Sequence, residues 1–176
     1  PGAVLHVVSK DGKAVTTDCG FSILPRSSFA ACPQADILCV PGGHGVRSAI
    51  ADPEIVDFVR QQAKGADYVT SVCTGAFILG AAGLLQGKKA TCHWAYTQLL
   101  PLFGATHVPA RVVRDGNLIT AGGVTSGIDF ALELIAAISG EDVAKTIQLA
   151  LEYDPAPPFG GGSIESSSDE TADNLR

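Results

Sequence analysis

Asp67-Tyr68-Val69-Thr70-Ser71-Val72-Cys73-Thr74-Gly75-Ala76-Phe77-Ile78-Leu79-Gly80 decides the fold. Residues 68–72 read as a buried strand and residues 74–85 as a buried helix, so the chain turns from one into the other with a cysteine at the joint. A side chain on such a turn is pushed out of the sheet and held at a helix N-terminus. The unpaired N–H groups there favour an anion, which stabilises a thiolate. Thr74, Gly75 and Ala76 are small enough to let the helix start directly against the sheet.

Strands and helices alternate on either side of this turn. Ala35-Asp36-Ile37-Leu38-Cys39-Val40 is a nearly continuous apolar run, expected as a strand covered on both faces, with Cys39 a buried structural thiol. It ends in Pro41-Gly42-Gly43-His44-Gly45, where backbone can approach a ligand closely. Asp52-Pro53-Glu54 carries a helix-start signature, and the helix should stop near Gly65. Residues 88–92 read as a short strand and residues 94–100 as a helix ended by Pro101. Val112 to Thr120 reads as a hairpin turning at Asp115-Gly116. Ala121-Gly122-Gly123-Val124-Thr125-Ser126-Gly127 is a second Gly-rich loop, opening a helix over residues 128–138, and another helix follows over residues 141–153. Upstream, residues 5–8 and 12–17 read as short strands and residues 19–33 as irregular. The pattern predicts an α/β domain over residues 1–153, with a mostly parallel sheet and helices on both faces. Residues 154–176 form a Pro/Gly-rich segment and a polar, mobile tail. In such sheets ligands sit beyond the carboxyl ends of the strands, so the loops at 41–45, 73–75 and 121–127 should converge on one crevice.

Composition narrows the function. The 176 residues carry a net charge of −6, which disfavours nucleic acid and anionic membrane surfaces as partners. No apolar run suits a bilayer, and nothing at the N-terminus reads as a signal peptide. The five cysteines are irregularly spaced and include no Cys-x-x-Cys pair, which points to a reduced, cytoplasmic protein without a zinc site. There is no Gly-x-Ser-x-Gly motif, phosphate loop or dinucleotide fingerprint, so neither a nucleotide nor a metal is expected.

Cys73 is the candidate nucleophile. Thr74 has two readings: its backbone N–H helps hold a developing anion, or its hydroxyl only caps the local helix. Gly43 offers a further backbone donor to the same anion. His44 is either an acid–base group or a plain loop residue. His93 either pairs with Cys73 and aids its ionisation or is a structural histidine. Asp129 reads as an acid answering the dipole of the helix it begins.

Pro41-Gly42-Gly43-His44-Gly45, Tyr68-Val69-Thr70-Ser71-Val72-Cys73-Thr74-Gly75 and Thr91-Cys92-His93-Trp94-Ala95-Tyr96 together resemble the PfpI-type branch of the class I glutamine amidotransferase-like superfamily. Arg111-Val112-Val113-Arg114-Asp115-Gly116-Asn117-Leu118, Gly127-Ile128-Asp129-Phe130-Ala131-Leu132 and Leu151-Glu152-Tyr153-Asp154-Pro155 extend the resemblance. Within that branch the chain is similar to members that hydrate isocyanides. The resemblance implies a flavodoxin-like fold, a homodimer, no cofactor, and a reaction in which Cys73 adds to a small-molecule isocyanide to give a thioimidate that water converts to an N-substituted formamide. It also implies that Gly122 shapes the pocket beside the thiolate and that Val124 forms an apolar wall for the organic group. The family opens with a strand and a Leu-Asp-x-x-Gly-Pro segment whose acid lies beside the cysteine. This sequence begins where the family's second strand would, so the first strand and that acid are expected to be missing from it. Two other functions occur in the superfamily: cysteine-based sensing or detoxification of oxidants and reactive carbonyls, and the sensor domain of a transcription regulator. The latter would carry a helix-turn-helix module after the α/β domain, for which the segment after residue 163 is too short.

Overall fold

The structure is a computed structural model describing residues 2–17 and 19–175. The strands among those residues are β1 (Val8–Ser9), β2 (Val15–Thr16), β3 (Ser22–Ile23), β4 (Ser27–Ser28), β5 (Ile37–Val40), β6 (Tyr68–Val72), β7 (Lys89–Ala90), β8 (Thr106–His107), β9 (Val112–Asp115) and β10 (Leu118–Ala121). The α-helices are α1 (Val46–Ala49), α2 (Pro53–Gly65), α3 (Ala76–Ala81), α4 (Ser126–Ser139), α5 (Glu141–Ala150) and α6 (Asp169–Asp173).

The central sheet has the order β5-β6-β10-β9. β5, β6 and β10 are parallel, and β9 returns antiparallel to β10 through the hairpin at Gly116-Asn117. The register places Leu38, Val69 and Leu118 side by side, and likewise Val40, Ser71 and Thr120. Side chains alternate between faces along a strand. One face therefore carries Leu38, Val40, Val69 and Leu118, packed against Val56 and Val59 of α2 and Phe77, Ile78 and Leu79 of α3. The opposite face carries Ile119 and Ala121, packed against Phe130 and Leu134 of α4. This is the α/β arrangement expected: a mostly parallel sheet with helices on both sides.

The start of α2 follows its sequence signature. Asp52 is the N-cap and accepts the Glu54 N–H at 2.9 Å, Pro53 occupies the first turn, and the helix ends at Gly65. Lys10 from the loop after β1 pairs with both Asp52 and Glu54, at 2.8 and 2.9 Å. The hydrogen bonds to Lys10 hold the Asp52 carboxyl below its usual range.

Several expectations are corrected. β5 is not covered on both faces: Leu38 and Val40 are buried, but Ile37 and Cys39 are exposed. α4 leaves from the end of β10 and covers Ile119, Ala121 and the β6 and β9 residues beside them, without reaching the edge strand β5. Cys39 is accordingly not a core thiol. The helix expected to stop at Pro101 is a 3-10 helix, Trp94–Phe103, that contains Pro101 and ends at Gly104 with φ 76°. The N-terminal strands are shorter and shifted: β1 pairs with β4, and β2 pairs with β3 inside a segment read as irregular. The tail read as mobile contains α6, whose N-cap Ser168 accepts the Thr171 N–H at 3.2 Å and whose Ala172 is buried.

Candidate active site

Cys73 lies between β6 and α3 with φ +60°, in the left-handed region. A β-carbon is unfavourable there by roughly 1–2 kcal/mol, so the surroundings must hold the residue in place. Two hydrogen bonds and two close glycine approaches do so. The Cys73 N–H donates to the Gly122 carbonyl at 2.8 Å. The Gly43 N–H donates to the Thr74 hydroxyl at 3.0 Å. Gly75 and Gly42 then allow the loops to close: a Cβ on Gly75 would meet the Val40 carbonyl oxygen at 2.2 Å, and one on Gly42 would meet the Thr74 nitrogen at 2.6 Å and the Cys73 Cβ at 2.9 Å. These two positions are glycine because another strand end already occupies the space.

The loops at 41–45 and 121–127 thus each hydrogen-bond to the turn at 73–75. The individual residues take more particular places. The Thr74 hydroxyl is bound to Gly43, so it ties the turn to the first Gly-rich loop instead of capping its own helix. The same bond occupies the Gly43 N–H, which the sequence suggested as an anion donor. His44 is exposed on that loop. Gly122 is buried and makes the direct contact to the Cys73 amide, whereas Val124 is 81% exposed.

His93 borders the second Gly-rich loop. Its Nδ1 accepts the Ala95 N–H at 3.3 Å, capping the 3-10 helix, and its ring packs against Trp94 and Tyr96 at 5.8 Å each. A Cβ on Gly123 would lie 3.6 Å from His93 Cδ2. Partial burial lowers the His93 pKa, and an accepting Nδ1 requires the proton to be on Nε2. Among the described residues no hydrogen bond joins His93 to Cys73, so the direct pairing considered from sequence is absent.

Sequence reasoning passed over two features of this site. Cys92 is only 2% exposed, and burial, reinforced by the charge of nearby Cys73, pushes its thiol up to about 12. Nothing in the run Lys88-Lys89-Ala90-Thr91-Cys92-His93 reveals that the two cysteines are neighbours. The second feature is a polar cluster on the far side of Gly122. Arg111 Nε donates to Asp129 Oδ2, the Tyr153 hydroxyl donates to Asp129 Oδ1 at 2.7 Å, and an Arg111 terminal nitrogen donates to the Thr125 hydroxyl at 3.3 Å. Only the acid in the first turn of α4 was legible beforehand, as a dipole partner. Among the described residues no group of three or more His, Cys, Asp or Glu side chains could hold a metal ion. Hollows of about 590 Å³ beside Lys10 and α2, and about 520 Å³ beside Tyr68 and Arg114, are not lined by Cys73.

A cysteine on a strained strand-to-helix turn, in a parallel α/β sheet, ringed by Gly-rich loops, defines a class of thiol-dependent α/β proteins. The chain belongs to the DJ-1/PfpI family, whose profile matches residues 1–137. It is 53% identical over all 176 residues to an isonitrile hydratase from Pseudomonas putida, spanning 77% of that protein. It is 30% identical over 151 residues to the HTH-type transcriptional regulator GbdR of Pseudomonas aeruginosa, covering 85% of this chain and 41% of the regulator. Among solved structures, a ThiJ/PfpI family protein from Pseudomonas syringae superposes with a TM-score of 0.96 at 43% identity, over 99% of this chain and 73% of the other. The flavodoxin-like α/β fold is therefore established. No helix among the described residues is long and apolar enough to cross a membrane, and all five cysteines are free of disulfides.

Proposed function

We propose that this chain is a cysteine-dependent isocyanide hydratase. The observation that carries the reading is Cys73 itself, held at φ +60° at the mouth of a helix and pinned by Gly122. The full-length identity to an isonitrile hydratase supports it. The terminal carbon of an isocyanide is small and electrophilic, and a soft thiolate adds to it without a metal. In the first step the Cys73 sulfur forms a bond to that carbon, and the carbon takes up the proton balancing the thiol, giving a thioimidate, R–N=CH–S–Cys73. Water then adds to the same carbon. The C–S bond breaks, the thiol is regenerated, and R–NH–CHO leaves, so that isocyanide plus water equals formamide with no redox change.

The site residues divide the work. Cys73 is the nucleophile. Thr74 locks the turn through Gly43. Gly122 fixes the Cys73 amide, and Val124 and His44 lie on loops bordering the substrate's approach. His93, neutral and proton-bearing at Nε2, supports the wall formed with Trp94 and Tyr96. Residues 1–153 form the catalytic unit, followed by the segment 154–176. The active species is a homodimer in a reducing, cytoplasmic setting, in keeping with cysteines that form no disulfide and with exposed apolar residues such as Leu149 and Leu151.

The test is turnover of an aryl isocyanide followed by formamide detection, comparing the wild-type chain with Cys73→Ala. Formamide from the wild type and none from the variant is expected. No formamide from the wild type removes the hydratase reading, and activity in Cys73→Ala removes the mechanism.

A further inference from the structure

We propose that Arg111 and Asp129, with Tyr153, are positioning residues for Cys73, acting through the main chain of Gly122. The connection is continuous. The Cys73 N–H donates to the Gly122 carbonyl at 2.8 Å, and the Gly122 N–H donates in turn to the Arg111 carbonyl at 2.9 Å. Gly122 is thus clamped between the nucleophile and Arg111. The Arg111 side chain then reaches past the second Gly-rich loop to the first turn of α4, where it bonds both Asp129 and Thr125. The other Asp129 oxygen accepts from Tyr153, which arrives from beyond the end of α5. One carboxylate therefore joins three chain segments around the loop that carries Gly122.

An isolated surface ion pair is worth little, and Arg111 is half exposed. This cluster differs in having both carboxylate oxygens and two arms of a rigid guanidinium engaged at once, which fixes direction as well as distance. Its effect should therefore appear in geometry more than in stability. Cys73 is the place where geometry matters, because a left-handed residue relaxes when its restraints loosen. A shift of the order of an ångström at a reacting atom can cost about a hundredfold in rate.

The inference rests on Cys73 being the reacting thiol and does not depend on which substrate it attacks. Its test therefore has two readouts: formamide formation, and the rate of Cys73 alkylation by iodoacetamide across pH, assigned by peptide mass. Asp129→Asn and Arg111→Met should each lower kcat about tenfold while KM changes less than about twofold, and should slow Cys73 alkylation and displace its pH profile. Arg111→Lys keeps the charge but not the fork and should not rescue. Tyr153→Phe removes one hydroxyl with minimal disturbance to folding and should give a smaller loss, about threefold, in the same direction. Wild-type kcat and an unmoved alkylation profile in these variants would overturn the proposal, even with a lowered Tm, because the cluster would then serve stability alone. Full rescue by Arg111→Lys would overturn it as well, since the effect would be one of net charge. A wild type that alkylates normally but forms no formamide defeats the hydratase reading and leaves the alkylation comparison intact.

Discussion

Gly75 abuts Val40 with no room for a side chain: a Cβ on Gly75 would stand 2.2 Å from the Val40 carbonyl oxygen and 2.8 Å from the Pro41 carbonyl oxygen. The obstacle is backbone at the end of β5, which cannot swing aside as a flexible side chain would.

Gly75→Ala must therefore pry β5 away from the turn that carries Cys73. Overpacking of this kind costs about 3 kcal/mol, and the variant should show a marked fall in denaturation midpoint together with lost thiol reactivity. An unchanged midpoint would mean that the two strand ends are farther apart than described.

Cys73 gives a second expectation. Its φ of +60° suits glycine and strains any residue with a β-carbon. Cys73→Gly should be more stable than Cys73→Ala by about 1 kcal/mol, although glycine ordinarily loses such comparisons in regular structure. Chemical denaturation of the two inactive variants measures the difference, and a more stable alanine variant would contradict the left-handed turn.

Alkaline pH should expose Cys92. Its folded-state pKa is raised to about 12, so the buried group resists ionising while the unfolded chain ionises near 8.5. The resulting stability is fully present below pH ~8.5 and is lost as pH rises toward about 12. Cys92→Ala should flatten that decline in a urea-denaturation series, and Cys92 should stay unalkylated in folded protein at pH 8 while exposed Cys19 and Cys39 react.

The acid limb should depend on His93. Burial lowers its folded pKa below the usual 6.5, so neutral His93 favours the folded state above that pH, and the contribution is lost as pH falls through the folded value. Protonation also removes the acceptor for the Ala95 N–H. His93→Asn should lessen the loss of stability between neutral and mildly acidic pH, and a variant with the wild-type slope would remove His93 from that role.

Legibility in the sequence followed the range of the forces involved. The run through Cys73 could be read because strand, turn and helix are each set by near neighbours, and the α2 start because Asp52-Pro53-Glu54 supplies cap, φ and acid within three residues. Ile37 and Cys39 misled because coverage of a strand face depends on where α4 lies, and α4 begins only at Ser126. The 3-10 run through Pro101 was hidden because its packing, with Leu100 fully buried, outweighs the local penalty of proline. Arg111, Asp129 and Tyr153 are each ordinary polar residues in sequence. Their meeting at one carboxylate is a product of topology, with β9, α4 and the segment after α5 brought to the same end of the sheet.

The left-handed twist at Cys73 belongs to the main chain and not to sulfur. A lineage that lost the thiol would inherit the contorted peptide with nothing gained from it. Drift at this codon should then run toward glycine or asparagine, which tolerate that conformation, so the residue found there in a silent relative would tell whether its backbone had ever been released.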